Sequence, residues 1–219
     1  MSLLFPVVLL LCAASAFCAL PQDANNFVDI VLRDRFPAEL RSWNLDPAQI
    51  PDFSIKVKKT FLTNRDLKAD FTSGKVYGLS QVRRRGECSA PFWEGTNSTL
   101  RCHLSLDGVR VAYQVRAKGH KVLGSTSYSV DMFVENTNFV VEVTSARSNR
   151  AVVKSVSLQS LGLKISESSN LGLNKDRKKK YHEAIKSNVQ GQLTGLLYGG
   201  FRDALNRALN TVTIQSHSA

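Results

Sequence analysis

The sequence predicts an α+β fold in which an antiparallel β-sheet lies between two helical segments of a single domain. Apolar residues recur at helical intervals over residues 23–43 and again from roughly 175 to 212, whereas apolar and polar residues alternate from about 53 to 166. Because no helix separates the alternating stretches, the strands are expected to pair antiparallel with one face buried. No repeat or Pro/Ser-rich linker divides the chain, which predicts one domain over residues 17–219.

An apolar stretch, LLFPVVLLLCAASA, occupies residues 3–16. Ala14 and Ala16 fit the A-x-A pattern of a signal-peptidase site, so residues 1–16 are interpreted as a secretory signal peptide. One feature departs from that pattern, because no Lys or Arg precedes the apolar run. A membrane anchor is the alternative interpretation. The mature protein is therefore expected to be secreted, extracellular and soluble.

The first helical segment has one apolar face, made of Phe27, Ile30, Val31 and Phe36. Asp23 is its expected N-cap, and Pro37 is expected to bend or end it. Among the strands the clearest is VRVAYQVRAK at 109–118, which alternates apolar with polar or basic residues. Asp107-Gly108, immediately before this strand, predicts a β-hairpin turn.

The last helical segment combines a broad apolar stripe with a line of glycines. The stripe consists of Ile185, Val189, Leu193, Leu196, Leu197, Phe201, Ala204, Leu205 and Ala208. Gly191, Gly195 and Gly199 fall on the opposite side at GxxxG spacing. Each Gly costs about 1 kcal/mol relative to Ala in a helix interior. We therefore expect the helix to bend there or to pass close to another element, and mere tolerance of Gly is the alternative.

The chain is basic, with 29 Lys and Arg against 18 Asp and Glu and a formal net charge of +11. This balance favours anionic partners such as lipid headgroups or polyanions. Two runs concentrate the charge, Arg83–Arg85 and KDRKKKYH at 175–182. No recognised motif or aromatic stacking platform accompanies them, so specific nucleic-acid binding is not expected. A purely solvated charged face is the alternative meaning of the runs.

Catalysis, cofactor binding and metal binding are not expected. The four histidines are scattered, at His103, His120, His182 and His217, and no GxSxG, HExxH or Cys-His signature accompanies them. CxxC and His-rich metal spacings are absent from the sequence. His103 lies on a predicted strand and is expected to face solvent. The sequence therefore predicts a binding protein and not an enzyme.

Cysteine usage fits a secreted chain. Cys12 lies in the signal and Cys18 lies either at its edge or just inside the mature chain, which leaves Cys88 and Cys102 as the expected disulfide. That bond closes a loop of about 15 residues and would stabilise the fold by roughly 3 kcal/mol. The loop also contains the sequon Asn97-Ser98-Thr99, which predicts a surface glycan on Asn97. Two free thiols and an unused sequon are the alternative.

Several segments resemble the mite group 7 allergens, within a superfamily that includes takeout and juvenile-hormone-binding proteins and bactericidal/permeability-increasing proteins. LDPAQIPDF (45–53) is similar to the family's turn out of the first helix. NRDLKADFTSGKVYGLSQVRRRG (64–86) is similar to its first hairpin. NFVVEVT (138–144) and VKSVSLQSLGLKIS (153–166) resemble later strands. The similarity covers most of the mature chain, roughly residues 25–215.

The resemblance implies an elongated super-roll, a strongly curved antiparallel sheet wrapped around the C-terminal helix with the N-terminal helix alongside. It also implies an apolar cavity between sheet and helices for a small hydrophobic ligand (a fatty acid, phospholipid or terpenoid). The residues that would line this cavity are Val111, Tyr113, Val115, Val189, Leu193, Leu196, Leu197 and Phe201. A secreted carrier of such a ligand is the expected function, and a secreted innate-defence protein that binds anionic lipids or other polyanions is the alternative.

The basic run at the start of the last helix conflicts with the helix dipole, which favours acidic residues in the first turn. The conflict weakens if the helix begins later, near Lys180. A basic cluster beside a cavity mouth would hold an anionic headgroup or dock the protein on an acidic surface. The residues expected to make such contacts are Arg83, Arg84, Arg85, Lys178, Lys179 and Lys180.

Overall fold

The computed structural model describes residues 21–59, 66–119, 125–146 and 150–212, and within them it confirms the α+β class. The signal-peptide assignment at residues 1–16 lies outside these ranges. The helices are α1 (Pro21–Ile30), α2 (Phe36–Ser42), α3 (Lys175–Leu196) and α4 (Arg202–Asn210). The strands are β1 (Ala48–Gln49), β2 (Phe53–Val57), β3 (Leu67–Tyr77), β4 (Arg83–Arg84), β5 (Phe92–Glu94), β6 (Asn97–Ser105), β7 (Arg110–Lys118), β8 (Ser125–Ala146) and β9 (Val152–Glu167).

All nine of these strands belong to one open antiparallel sheet organised around the 22-residue strand β8. The first half of β8 pairs with β7 and its second half with β6, while β9 runs along the other edge. Strand β3 extends the sheet beyond β7 and carries β1 and β2, and β4 and β5 extend it beyond β6. The helices cover one face, on which the alternating apolar residues of the strands are buried.

The hairpin predicted at Asp107-Gly108 is wrong. The turn forms, since the Val109 N–H donates to the Leu106 carbonyl at 3.0 Å and Gly108 has φ +93°. However, β6 and β7 do not pair with each other but follow one another along the same edge of β8. The turn is therefore a kink within one long edge, and the Gly108 N–H donates across it to the Val134 carbonyl at 3.0 Å. Pairing with β8 supplies both strands with partners that a local hairpin would have supplied, so the long-range ladder replaces it.

The first helical segment consists of two helices joined by a π-helical turn at Val31–Arg35. Asp23 lies in the first turn of α1 and is not the N-cap, because the helix already includes Pro21. Pro37 occupies the first turn of α2, where its missing N–H costs nothing, so this proline opens a helix instead of ending one. Of the four predicted apolar residues, Ile30 is exposed and the other three are buried.

Both aspartates of the LDPAQIPDF segment accept hydrogen bonds from backbone N–H groups in strand β3 or in the turn directly after it. Asp46 Oδ1 accepts from the Gly78 N–H and Oδ2 from the Ser80 N–H, each at 2.8 Å. Asp52 Oδ1 accepts from the Ser73 N–H at 2.9 Å, beside the bulge of β3. Charged acceptors strengthen such bonds, which tie this turn to β3 and to the turn that follows β3.

The glycine-rich part of the C-terminal helix bends, as one of the alternatives predicted. A π-helical turn at Leu197–Phe201 joins α3 to α4, and Gly199 within it has non-helical angles of φ −99° and ψ −109°. Close approach on the glycine side is not found at Gly191 or Gly195, where an added Cβ would meet open space. At Gly200 such a Cβ would lie 3.1 Å from Leu45.

Phe36, the residue directly after the first π-turn, meets Phe201 of the second π-turn in the core. The Phe36 ring contacts Phe201 edge-on at 4.8 Å, and Phe201 also contacts Phe139 of β8 at 5.6 Å. All three rings are fully buried. Among the helices of the described ranges, none is long and apolar enough to span a membrane.

Candidate functional site

The residues predicted to line a ligand cavity are packed in the core. Strand β7 buries Val111, Tyr113 and Val115, and the C-terminal helix buries the remainder except Leu196, which is half-buried. The stripe predicted for that helix therefore does face the sheet. These side chains belong to the hydrophobic core cluster or, in the case of Leu196, pack against it, and their role in ligand binding stays a prediction.

Buried tyrosines occupy part of the space between α3 and the first half of β8. The Tyr113 hydroxyl lies 2.6 Å from Gln192 Oε1 and 2.8 Å from the Pro51 carbonyl, and the hydroxyls of Tyr128 and Tyr181 are 2.5 Å apart. Burial raises the pKa of Tyr128 to about 12 and also raises the pKa values of Tyr113 and Tyr181. These groups stay protonated and give this part of the core a polar seam that the apolar pattern did not predict.

A small apolar void lies at the other half of the sheet, between α1, α4 and strands β6 and β8. Its volume is about 10 Å³, and its walls are Val28, Val31, Leu32, Cys102, Leu104, Val141, Val143, Leu205 and Leu209. Ligand pockets commonly have several hundred Å³. The void is therefore far too small for a lipid chain unless the helices move, and it lies elsewhere than the predicted cavity.

The three arginines of the first basic run have different environments. Arg84 makes two hydrogen bonds to Asp29 of α1, at 3.0 and 2.7 Å, and this carboxylate raises the pKa of the guanidinium. Arg85 donates to the Thr137 carbonyl at 2.9 Å, while Arg83 is exposed. At Arg84 the predicted headgroup contact conflicts with a structural role, because the guanidinium group of Arg84 already binds Asp29 and so holds α1 against the sheet.

The second basic run begins α3. Asn174 is the N-cap, and its side chain accepts from the Arg177 N–H at 2.9 Å, so the helix starts at Lys175 and not near Lys180. The expected conflict with the helix dipole is therefore real in the first turn, where Asp176 is the acidic residue. The side chains of Lys178, Lys179 and Lys180 are exposed, and Lys179 lies 3.9 Å from Glu183.

A third group of lysines becomes visible only through strand register. Lys56 of β2 lies opposite Lys68 of β3, and Lys68 lies opposite Lys118 of β7. All three are exposed on the face of the sheet away from the helices. Lys56 is 3.1 Å from Asp66, and the Lys59 N–H and Lys56 lower the pKa of this carboxyl. In the part of the chain that the structure describes, no carboxylate lies within 4 Å of the Lys68 or Lys118 ammonium groups.

The lysine row and the start of α3 lie at the same end of the molecule. Tyr181 contacts Phe71 and Tyr128, whereas Gln192, further along α3, contacts Tyr113. The first turns of α3 therefore lie at the end of the sheet where β8 begins, and the helix runs from there toward the middle of the sheet. Residue 175 lies about 9 Å before Tyr181 along the helix, and Lys68 lies about 10 Å before Phe71 along β3. We call Lys56, Lys68, Lys118 and Lys178–Lys180 together the lysine end.

Arg83–Arg85 lie away from the lysine end. Arg85 contacts Thr137, nine residues further along β8 than Tyr128, which corresponds to about 30 Å in an extended strand. The two basic runs that the sequence showed therefore do not form one surface. The lysine row is not visible as a pattern in the sequence, because its three lysines lie on three different strands.

The disulfide between Cys88 and Cys102 is confirmed. It is tied to α1, since the Cys88 N–H donates to Asn25 Oδ1 at 2.8 Å. Asn97 is half-exposed at the β5–β6 hairpin, and its glycan stays a prediction.

Two histidines, His120 and His217, lie outside the described residues. His103 alternates with the buried Cys102 and Leu104 as predicted and is half-exposed, with Nδ1 2.8 Å from Asn138 Oδ1. His182 Nε2 is 3.0 Å from Glu167 Oε2. Over the described ranges no group of three His, Cys, Asp or Glu residues is placed to hold a metal.

Comparisons with known proteins found similarity both to a curated sequence and to solved structures. No family model matches the chain. The salivary anticoagulant protein P23 of Ixodes scapularis is 30% identical over 211 residues, which cover 94% of this chain and 95% of that protein. A crystal structure of lipopolysaccharide binding protein is 16% identical with a TM-score of 0.46, covering 91% of this chain but 38% of that one. Epiphyas postvittana Takeout 1 is 13% identical with a TM-score of 0.43, covering 87% and 92% respectively.

Proposed function

The chain belongs to the family of the tick salivary anticoagulant protein P23, and on that premise we propose that it is a secreted, non-enzymatic protein that binds anionic lipid surfaces through its lysine end. One observation carries the proposal, the row formed by Lys56, Lys68 and Lys118 across three neighbouring strands.

The lysine row is unfavourable within the isolated protein. Like charges directly opposite each other in a sheet are destabilising, and opposite charges at the same positions would contribute about 0.2–1 kcal/mol per pair. The basic first turn of α3 adds a second unfavourable arrangement at the same end. An anionic surface removes both penalties, and each basic residue near such a membrane contributes about 1 kcal/mol.

The name of the relative supports a role in clotting for a secreted protein. P23 is a salivary anticoagulant, and we propose that this chain likewise delays clotting after secretion, by occupying anionic lipid at the lysine end. Secretion itself rests on the apolar segment at residues 1–16, on the disulfide and on the salivary relative. A closer kinship with the mite group 7 allergens is proposed from the sequence motifs alone.

The test is co-sedimentation with vesicles of phosphatidylcholine alone or with phosphatidylserine, across a salt series. Binding is expected to need the anionic lipid and to fall steeply with salt. A variant with Lys56, Lys68 and Lys118 changed to Gln should lose most of this binding. The matched control changes three exposed basic residues elsewhere, Arg83, Lys164 and Arg202, to Gln and removes the same charge. Equal loss in both variants would reduce the effect to net charge and contradict a specific docking end.

Clotting time of plasma provides the functional arm. The unmodified chain should prolong it, the lysine-row variant should not, and the control variant should. Prolongation by the lysine-row variant would separate any anticoagulant action from lipid docking and contradict the proposed mechanism.

A second candidate function, carriage of a small hydrophobic ligand, is favoured by the aliphatic void under α1 and α4. Both helix pairs that cover it contain a π-turn, a feature frequent at functional sites. The ligand class would be a fatty acid, phospholipid or terpenoid. An apolar fluorescent probe should bind delipidated protein, and Leu205→Ala, which enlarges the void, should tighten that binding. No probe binding by either protein would eliminate the carrier.

A further inference from the structure

Strand β9 has an edge covered by side chains instead of by another strand. Within the described sheet β9 pairs with β8 only. Three side chains of the C-terminal helix bond to the backbone of its other edge. Gln190 Nε2 donates to the Leu161 carbonyl at 2.7 Å, the Leu158 N–H donates to the Tyr198 hydroxyl oxygen at 3.1 Å, and the Val153 N–H donates to Asn206 Oδ1 at 2.8 Å. We call Gln190, Tyr198 and Asn206 the edge ladder.

The helix and the strand match in length over the edge ladder. The ladder residues lie at regular intervals, at 190, 198 and 206, and their strand partners run in the opposite direction, at 161, 158 and 153. Sixteen helical residues span about 24 Å. Eight strand residues span about 26 Å. The helix therefore lies along the strand edge, antiparallel to it, for the whole of this distance.

The π-turn at Leu197–Phe201 makes this alignment possible. In an unbroken α-helix each residue turns by about 100°, so Gln190 and Asn206 would differ by about 160° and point to nearly opposite sides. A π-turn holds one extra residue, because its bonds run from i to i+5. It thus rotates the rest of the helix back by about 100° and leaves about 60° between the two side chains. The same turn that carries Gly199 and Gly200 keeps the helix in phase with the strand.

The strand segment beneath the ladder carries no charge and no proline of its own, and its protection comes from bulges in the pairing with β8 and from the helix that covers it. Exposed edges are commonly guarded by charged residues or proline. Residues 155–163 of β9, SVSLQSLGL, contain neither, and they alternate small polar with apolar side chains. Such a segment has the composition of strands that pair between chains. The edge ladder covers this segment, with bonds at Leu158 and Leu161 inside it and at Val153 just before it.

We propose that the edge ladder is a releasable cap that keeps the chain monomeric, and that β9 pairs with β9 of a second copy when the cap is removed. A second copy is the fitting occupant, because an antiparallel pair of identical edges satisfies two-fold symmetry and presents the same segment from both sides. This assignment is independent of lipid binding at the lysine end, which lies at the beginning of β8.

The test replaces the ladder with apolar residues of similar size, Gln190→Leu, Tyr198→Phe and Asn206→Leu, in the full chain. Hydrogen exchange of the Leu158 and Val153 amides should accelerate at least tenfold. Sedimentation velocity should show a dimer that grows with protein concentration, while the parent chain remains monomeric. A ladder variant that stays monomeric over the whole concentration range overturns the proposal.

Three further variants keep the result decisive. Asn188→Leu changes an exposed amide on the same helix, whose Nδ2 donates to the Ala184 carbonyl one turn earlier at 2.8 Å, and it should neither dimerise nor change exchange at Leu158. Asn206→Asp retains the acceptor and should restore protection of the Val153 amide. If the triple variant does not fold, the single variant Tyr198→Phe serves as the test, because it removes only the hydroxyl that accepts from the Leu158 N–H. Unchanged exchange of the Leu158 amide in that variant would overturn the cap.

Discussion

The two ends of the sheet both carry charged residues across neighbouring strands, but the charges are arranged in opposite ways. At the end of β8, which we call the paired end, Arg101 lies opposite Glu142, and the Lys154 ammonium lies 2.5 Å from Glu94 and 3.9 Å from Glu142. Opposite charges thus alternate from β5 to β9. At the lysine end, Lys56, Lys68 and Lys118 stand side by side.

This difference separates charges that hold the fold from charges that the fold tolerates. The paired end joins four strands through ion pairs and includes Glu142, whose side chain is only 16% exposed, so its charge is partly withdrawn from water. In the lysine row Lys56 is paired with Asp66, but the exposed Lys68 and Lys118 face like charges across the strands and contribute repulsion. Changes at the paired end should therefore affect stability, whereas changes at the lysine end should affect binding.

The largest effect is expected from the disulfide at the paired end. Replacing both Cys88 and Cys102 with Ala should lower the free energy of unfolding by about 3 kcal/mol, because the open loop regains conformational entropy in the unfolded chain. Urea denaturation measures this loss, and anionic-vesicle binding at the lysine end should not change. An unaltered urea midpoint would show that strand pairing alone holds the loop.

Glu142→Lys should make the paired end resemble the lysine end. The substitution removes the bonds from Arg101 and Ser155 and places a third cation between Arg101 and Lys154. We expect a loss of about 2 kcal/mol in the free energy of unfolding. Glu142→Gln, which keeps an acceptor without the charge, should cost about half as much. Equal stability of the two variants would mean that charge is irrelevant at this end.

Acid should weaken the paired end through the same residue. Hydrogen bonds from Arg101 and Ser155 hold the pKa of the Glu142 carboxyl below its ordinary value of 4.5. A lowered pKa in the folded state means that the carboxylate stabilises the fold above pH 4.5 and that this contribution is lost as pH falls through the folded value. Thermal unfolding from pH 6 to 3 should show a shallower decline in Glu142→Gln. Parallel curves for the two proteins would contradict this role.

The smallest effect on stability, with the opposite sign, is expected at the lysine end. Lys68→Glu places an acid between Lys56 and Lys118 and should raise the free energy of unfolding by about 0.5–1 kcal/mol. The same variant should lose anionic-vesicle binding. Stabilisation with full binding retained would show that the row is a solvated face without a partner.

Sequence patterns predicted the elements whose burial follows from one periodicity. The stripe of the C-terminal helix and the alternation in β7 were predicted correctly, because one buried face imposes a period of 3.6 or 2. The Cys88–Cys102 bond was predicted from elimination among few cysteines. The prediction at Asp107-Gly108 was wrong, because local turn chemistry does not show which strand the flanking residues will pair with.

The candidate sites show the same division. Exposed lysines at 178–180 were evident as a run, but the run Arg83–Arg85 looked equivalent to it until Arg84 was found bonded to Asp29 of α1. The lysine row escaped detection, because its three members are spread over more than sixty residues of sequence. Tyr128 and Tyr181 escaped for a related reason, since their hydroxyls satisfy each other only across the helix–sheet contact.

The sequence by itself therefore determined the class of fold, the faces that are buried, the disulfide and the overall positive charge, since each depends on composition or on neighbours within one element. Only the tertiary structure decided which charges meet, which edge of β9 is capped and which tyrosines are buried in the core. These outcomes depend on strand register and helical phase. Register brings Lys56 to Lys68, and a single extra residue in the π-turn brings Asn206 to Val153. Both are settled by the packing of segments far apart in the chain.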